Sequence, residues 1–72
     1  MDETEALAAM KLGCRVISTG KNIYRWNKIT RRVEMLEDGE AVGYFSQNEF
    51  LQVQNAAAKL SVSGNSFELI EK

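Results

Sequence analysis

Ser46 and Glu49 stand three residues apart, with Phe45 just before the serine and Phe50 just after the glutamate. The spacing S-x-x-E lets each side chain accept from the other's backbone N–H, which starts a helix at a defined residue. The flanking phenylalanines form a hydrophobic staple that fixes how the chain enters. The pattern predicts a helix from Gln47 to about Leu60, with Phe50, Val53, Ala57 and Leu60 along one face. A helix so placed leaves residues 1–45 to supply most of the sheet.

That first part begins with a second cap. Asp2 and Glu5 form a capping box for a helix reaching Leu12, with Ala6, Leu7 and Met10 on one face and Leu12 at its edge. Gly13 suits the left-handed residue that ends a helix. Cys14 to Thr19 reads as a strand, with Val16 and Ile17 β-branched, and Gly20-Lys21-Asn22 as a turn. Ile23–Trp26 and Ile29–Leu36 read as strands joined by Asn27-Lys28. Asp38-Gly39 is a strong hairpin signal, and Ala41–Phe45 is the returning strand. After the second helix come a loop over Ser61–Asn65 around Gly64 and a closing strand, Phe67–Ile70. The order α-β-β-β-β-α-β predicts a single α+β domain with an antiparallel meander.

Absences narrow the chemistry. The 72 residues include one cysteine and no histidine. The usual zinc sites and Ser-His-Asp or Cys-His systems cannot be built from such a chain. There is no phosphate-binding P-loop or dinucleotide fingerprint. The reading is a binding protein with no catalytic residue, metal or cofactor. A lone cysteine favours a reducing compartment. The acidic start MDETE has the wrong sign for a signal peptide, and no apolar run approaches the length of a membrane span. A cytoplasmic protein is expected, with Cys14 as a small buried filler. A core this small and without staples favours self-association.

Charge is unevenly spread. Seven of the nine basic residues lie between Lys11 and Arg32, a stretch of 22 residues without an acid, whereas all 10 acids lie outside it. In one reading the sheet pairs its own charges, with Arg31 and Arg32 facing Glu34, Glu37 or Glu40. In the other, arginine forks meet the oxygens of an anionic ligand, and Tyr24 and Trp26 offer flat surfaces to a base. With a two-residue turn at Asn27-Lys28, alternation puts Tyr24, Trp26, Ile29, Arg31, Val33 and Met35 on one, mostly apolar face. Arg25, Thr30, Arg32 and Glu34 take the other. Arg25 and Arg32 are then the leading anion contacts, and Trp26 packs mainly in the core. Arg15, Tyr24, Trp26 and Asn48 complete the candidate ligand set, with Ser46, Gln47 and Asn48 offering backbone N–H groups at a helix N-terminus.

At EALAAMKLGCRV, residues 5–16, the chain resembles small phage and prophage proteins, formerly a domain of unknown function, that include the Thoeris anti-defence sponges. Their opening is a short helix followed by roughly Leu-Lys-x-Gly-Lys-x-Val. Met10, Lys11, Gly13 and Val16 match, and Cys14 replaces the lysine. FSQNEFL, Phe45 to Leu51, is similar to the family's Phe-Thr-x-x-Asp-Leu-Leu. FELIE, Phe67 to Glu71, is similar to its closing aromatic strand. The family's Arg-x-x-Trp after the first strand has no counterpart here, where Trp26 comes later. The resemblance implies a homo-oligomer in the host cytoplasm that sequesters a cyclic ADP-ribose-like signal and performs no chemistry. The alternatives are a protein-binding phage inhibitor of a host defence system, of anti-restriction or anti-CRISPR type, and a small nucleic-acid-binding module.

Overall fold

The computed structural model describes residues 1–61 and 64–71. Two helices and five strands follow one another as α1 (Glu3–Lys11), β1 (Arg15–Ser18), β2 (Ile23–Asn27), β3 (Arg32–Glu37), β4 (Glu40–Phe45), α2 (Gln47–Leu60) and β5 (Phe67–Glu71). The strands form one antiparallel sheet ordered β4-β3-β2-β1-β5. This is the α+β order expected from the sequence, with β5 returning to pair with β1. Residues 62 and 63 of the expected loop lie outside the described residues.

Both helices begin at the expected caps. Asp2 Oδ1 accepts from Glu5 N at 2.8 Å, and Glu5 Oε1 accepts from Asp2 N at 3.1 Å. Ser46 Oγ accepts from Glu49 N at 3.1 Å, and Glu49 Oε1 accepts from Ser46 N at 2.8 Å. α1 ends on Gly13, whose φ of 99° allows Cys14 N to reach back to Ala9 O. Cys14 follows this surface turn directly and is half-buried, not the buried filler expected.

The helices cover the same face of the sheet. Ala6, Leu7 and Met10 of α1 and Phe50 of α2 share one core with Val16, Tyr24, Val33 and Phe67. Tyr24 sits at its centre, edge-on to Phe45, Phe50 and Phe67 at centroid distances of 6.3, 5.2 and 6.3 Å.

α2 is turned about its axis relative to the expected stripe. Phe50 is buried as expected, but Val53 and Leu60 are 46% and 88% exposed, Ala57 is half-buried, and Gln54 is buried instead. Gln54 Nε2 donates to Tyr24 Oη at 3.2 Å, and Asn65 Nδ2 donates to Gln54 Oε1 at 2.8 Å. A buried amide is tolerated when its hydrogen bonds are made.

The β2–β3 connection also differs from expectation. Asn27 belongs to β2, pairs with Arg32, and closes a four-residue loop over residues 28–31. Its Oδ1 accepts from Ile29 N and Thr30 N at 2.9 and 3.1 Å, an Asx turn. Arg31 takes the left-handed conformation at φ 58°. Ile29, expected on the buried face, is 87% exposed. The loop is two residues longer than expected, an even number, so the strand faces keep their assignment. Trp26 lies opposite Val33 and Tyr24 opposite Met35 on the helix side, while Arg25 lies opposite Glu34 on the other.

Candidate functional site

β1 is short. It pairs with β2 only at Ile23 and Tyr24, so Arg25–Asn27 has no strand beside it on that edge. The C-terminal end of α1 comes alongside instead. Between them lies an open groove of about 390 Å³. Met10, Lys11 and Gly13 form one wall, Arg25, Trp26 and Asn27 the other, and Lys28 and Ile29 stand at the hairpin end.

Two polar arrangements organise this groove. The Lys11 ammonium lies 5.1 Å from the centroid of the Trp26 ring, within cation–π range. Lys11 Nζ also donates to Gln47 Oε1 at 2.6 Å, tying the end of α1 to the start of α2. On the other side Arg25 Nε donates to Glu34 Oε1 at 2.7 Å, and Asn27 Nδ2 donates to Glu34 Oε2 at 3.1 Å. The Glu34 side chain is 6% exposed, whereas that of Arg25 is 38% exposed. No helix covers this face, so Glu34 is hidden by its neighbours' side chains and not by depth.

The Arg25 hydrogen bond, reinforced by that of Asn27, holds the Glu34 carboxyl below its ordinary value of 4.5, against an opposing effect of burial. The Glu49 carboxyl is also lowered, first by its hydrogen bonds to Ser46 and then by the field of Arg32. A depressed folded-state pKa stabilises the fold above the unfolded pKa, and that contribution is lost as pH falls through the folded value. Thermal melting should therefore be nearly level from neutrality to about pH 5 and fall below about pH 4.5. Glu34→Gln should flatten this acid limb, leaving the part due to Glu49. An acid limb unchanged by Glu34→Gln would mean that the pair carries no pH-dependent stability.

Of the expected ligand residues, the groove brings together Arg25 and Trp26. Arg32 is exposed at the start of β3, opposite Asn27. Arg15 opens β1, has Glu71 as its register partner on β5, and does not line the groove. Tyr24 is 3% exposed with its hydroxyl bound by Gln54. Asn48 is exposed in the first turn of α2, away from the groove walls. The Glu49 carboxylate caps that helix end, where an anion would meet like charge. Lys11, Asn27, Lys28 and Glu34 join the site without having been singled out. Lys11 was visible as a member of the acid-free run and of the family-like opening, and Lys28 as a member of that run and of the expected Asn27-Lys28 turn, neither as a ligand contact.

Among the described residues, no group of three or more His, Cys, Asp or Glu could hold a metal ion, and no helix is long and apolar enough to cross a membrane. Comparison with protein-family models, curated proteins and solved structures finds no match.

Proposed function

We propose that the protein is a non-catalytic, cytoplasmic phage-type protein that binds a small phosphate-bearing nucleotide in the groove beside β2. The cyclic ADP-ribose-like class and the sequestering role come from the sequence resemblance. The observation that carries the binding reading is the Lys11 ammonium held over Trp26 at the wall of a groove that also presents Arg25 and Lys28. Arg25 is anchored through Nε to Glu34 Oε1 at 2.7 Å. Anchored cations suit phosphate, because little side-chain order is lost on binding. Arg32 adds to the field from the adjoining strand. Homo-oligomerisation belongs to the same reading.

A panel of cyclic nucleotides and ADP-ribose derivatives, tested by thermal shift, decides it. A ligand at 100 times its dissociation constant adds about 2.7 kcal/mol, which raises Tm by about 10 °C or more in a domain of this size. Lys28→Ala should lower the shift without changing the melting of the free protein. A panel that leaves Tm unmoved would overturn the reading. A second reading, a protein-binding inhibitor of a host defence system, is favoured by Val42 and Tyr44, which are 52% and 57% exposed on the helix-free face. It predicts no response to any small nucleotide.

A further inference from the structure

The sheet is interrupted beside β2, and the interruption opens onto the groove. In an antiparallel sheet, residues turn their backbone groups alternately toward one neighbouring strand and the other. Ser18 N donates to Asn22 O at 2.9 Å. Asn22 therefore faces β1, and so do Tyr24 and Trp26 at steps of two. Val16 lies opposite Tyr24, so a longer β1 would set Cys14 opposite Trp26. Instead the chain bends at Gly13, φ 99°, and Cys14 N donates to Ala9 O at 3.2 Å. The N–H and C=O of Trp26 point into the groove where the sheet lacks its next strand.

We infer that this gap takes an extended, acidic segment of a partner protein, which pairs with Trp26 as an added strand. In strand addition the main chain supplies affinity and the side chains supply specificity. A residue opposite Trp26 shares its face of the sheet, where the Lys11 ammonium lies 5.1 Å from the centroid of the Trp26 ring. A carboxylate at that position meets the ammonium. Arg25 and Lys28 also line the groove, with Glu34 as the acid among the lining residues, so the charge balance favours an acidic partner. The lips are apolar. Leu12, next to Lys11, and Ile29, at the hairpin end, are 86% and 87% exposed. They suit apolar residues to either side of the acid. Phosphate contacts alone would account for the cations but not for the open backbone pair or the lips. The inference goes beyond the nucleotide reading and does not rest on it, although the two ligands would share the groove.

An NMR titration of the full, isotope-labelled chain tests this. The probe is acetyl-Glu-Val-Glu-Val-Glu-amide at up to about 5 mM, where even a millimolar complex is largely formed. The expected result is a saturable shift of the Trp26 and Gly13 amide signals. The same peptide with glutamine for glutamate should bind about tenfold more weakly. Only alternate N–H groups of a strand face its neighbour. Methylating the main-chain nitrogens of the glutamates, or in another peptide those of the valines, should therefore abolish binding in one case and spare it in the other. Unmoved Trp26 and Gly13 signals at about 5 mM overturn the inference. So does equal binding of the two methylated peptides, which would reduce the contact to charge. A nucleotide active in the melting panel should release the peptide. Simultaneous binding of both would place the peptide elsewhere and overturn the inference. If no nucleotide is active, the peptide titration still stands by itself, so either reading can fail without the other.

Discussion

Phe50→Ala is expected to lower the unfolding free energy by about 3–5 kcal/mol, the usual cost of emptying a core phenylalanine site. Phe50 is fully buried, and its ring meets Tyr24 of β2 at 5.2 Å and Phe67 of β5 at 5.9 Å. It is where α2, the middle of the sheet and the closing strand come together. A chain of this length has about 4–11 kcal/mol of stability in all. The variant should therefore be largely unfolded at physiological temperature. Urea denaturation checks this, with Val53→Ala as the control. Val53 lies on the same helix but is 46% exposed, so its loss should cost well under 1 kcal/mol. Similar midpoints for the two variants would refute the orientation of α2.

Arg25→Ala is expected to destabilise the protein by about 1–3 kcal/mol. Removing one partner of a fully buried pair costs about 3–5 kcal/mol, because a charge is left without compensation. The figure is reduced here because Arg25 is 38% exposed and water can reach Glu34 once the guanidinium is gone. Glu34→Gln in the same chain should recover most of the loss, and a double-mutant cycle measures the coupling. Purely additive effects would mean that the pair contributes nothing beyond its parts. The exposed Arg32 should be nearly silent in stability when changed to alanine. Reduced ligand binding in Arg25→Ala therefore has to be read beside its melting curve, since a disturbed sheet and a lost contact look alike.

The sequence was most legible where its chemistry is local. Both capping boxes span four residues, and their hydrogen bonds depend on little else. Asp38 and Gly39 both have positive φ, 53° and 81°, as the Asp-Gly hairpin signal requires. The β2–β3 turn was harder because no glycine marks it. Asn27 looks like half of a two-residue turn, yet its side chain gathers two N–H groups from a longer loop, and Arg31 takes the left-handed position. The face assignment of Arg25 survived only because the lengthening was even. Its partner could not be read, since pairing with Glu34 requires the actual register. The approach of Lys11 to Trp26 was still less visible, because it depends on how α1 docks beside the short β1. Periodicity misplaced the inner face of α2 for a different reason: it counts apolar residues, and the residue turned inward is a glutamine.

That glutamine changes what holds the helix in place. Apolar side chains slide over one another at small cost, so a helix packed by them alone can settle in several rotations. Hydrogen bonds depend on angle. The amide of Gln54 donates to a hydroxyl on β2 and accepts from Asn65, just before β5. A helix turned by one residue would leave that amide, the tyrosine hydroxyl and the asparagine without partners in a dry interior, each at a cost of about 1–3 kcal/mol. The three side chains thus act as a key. They add little to how tightly α2 is held, and they select which way round it sits.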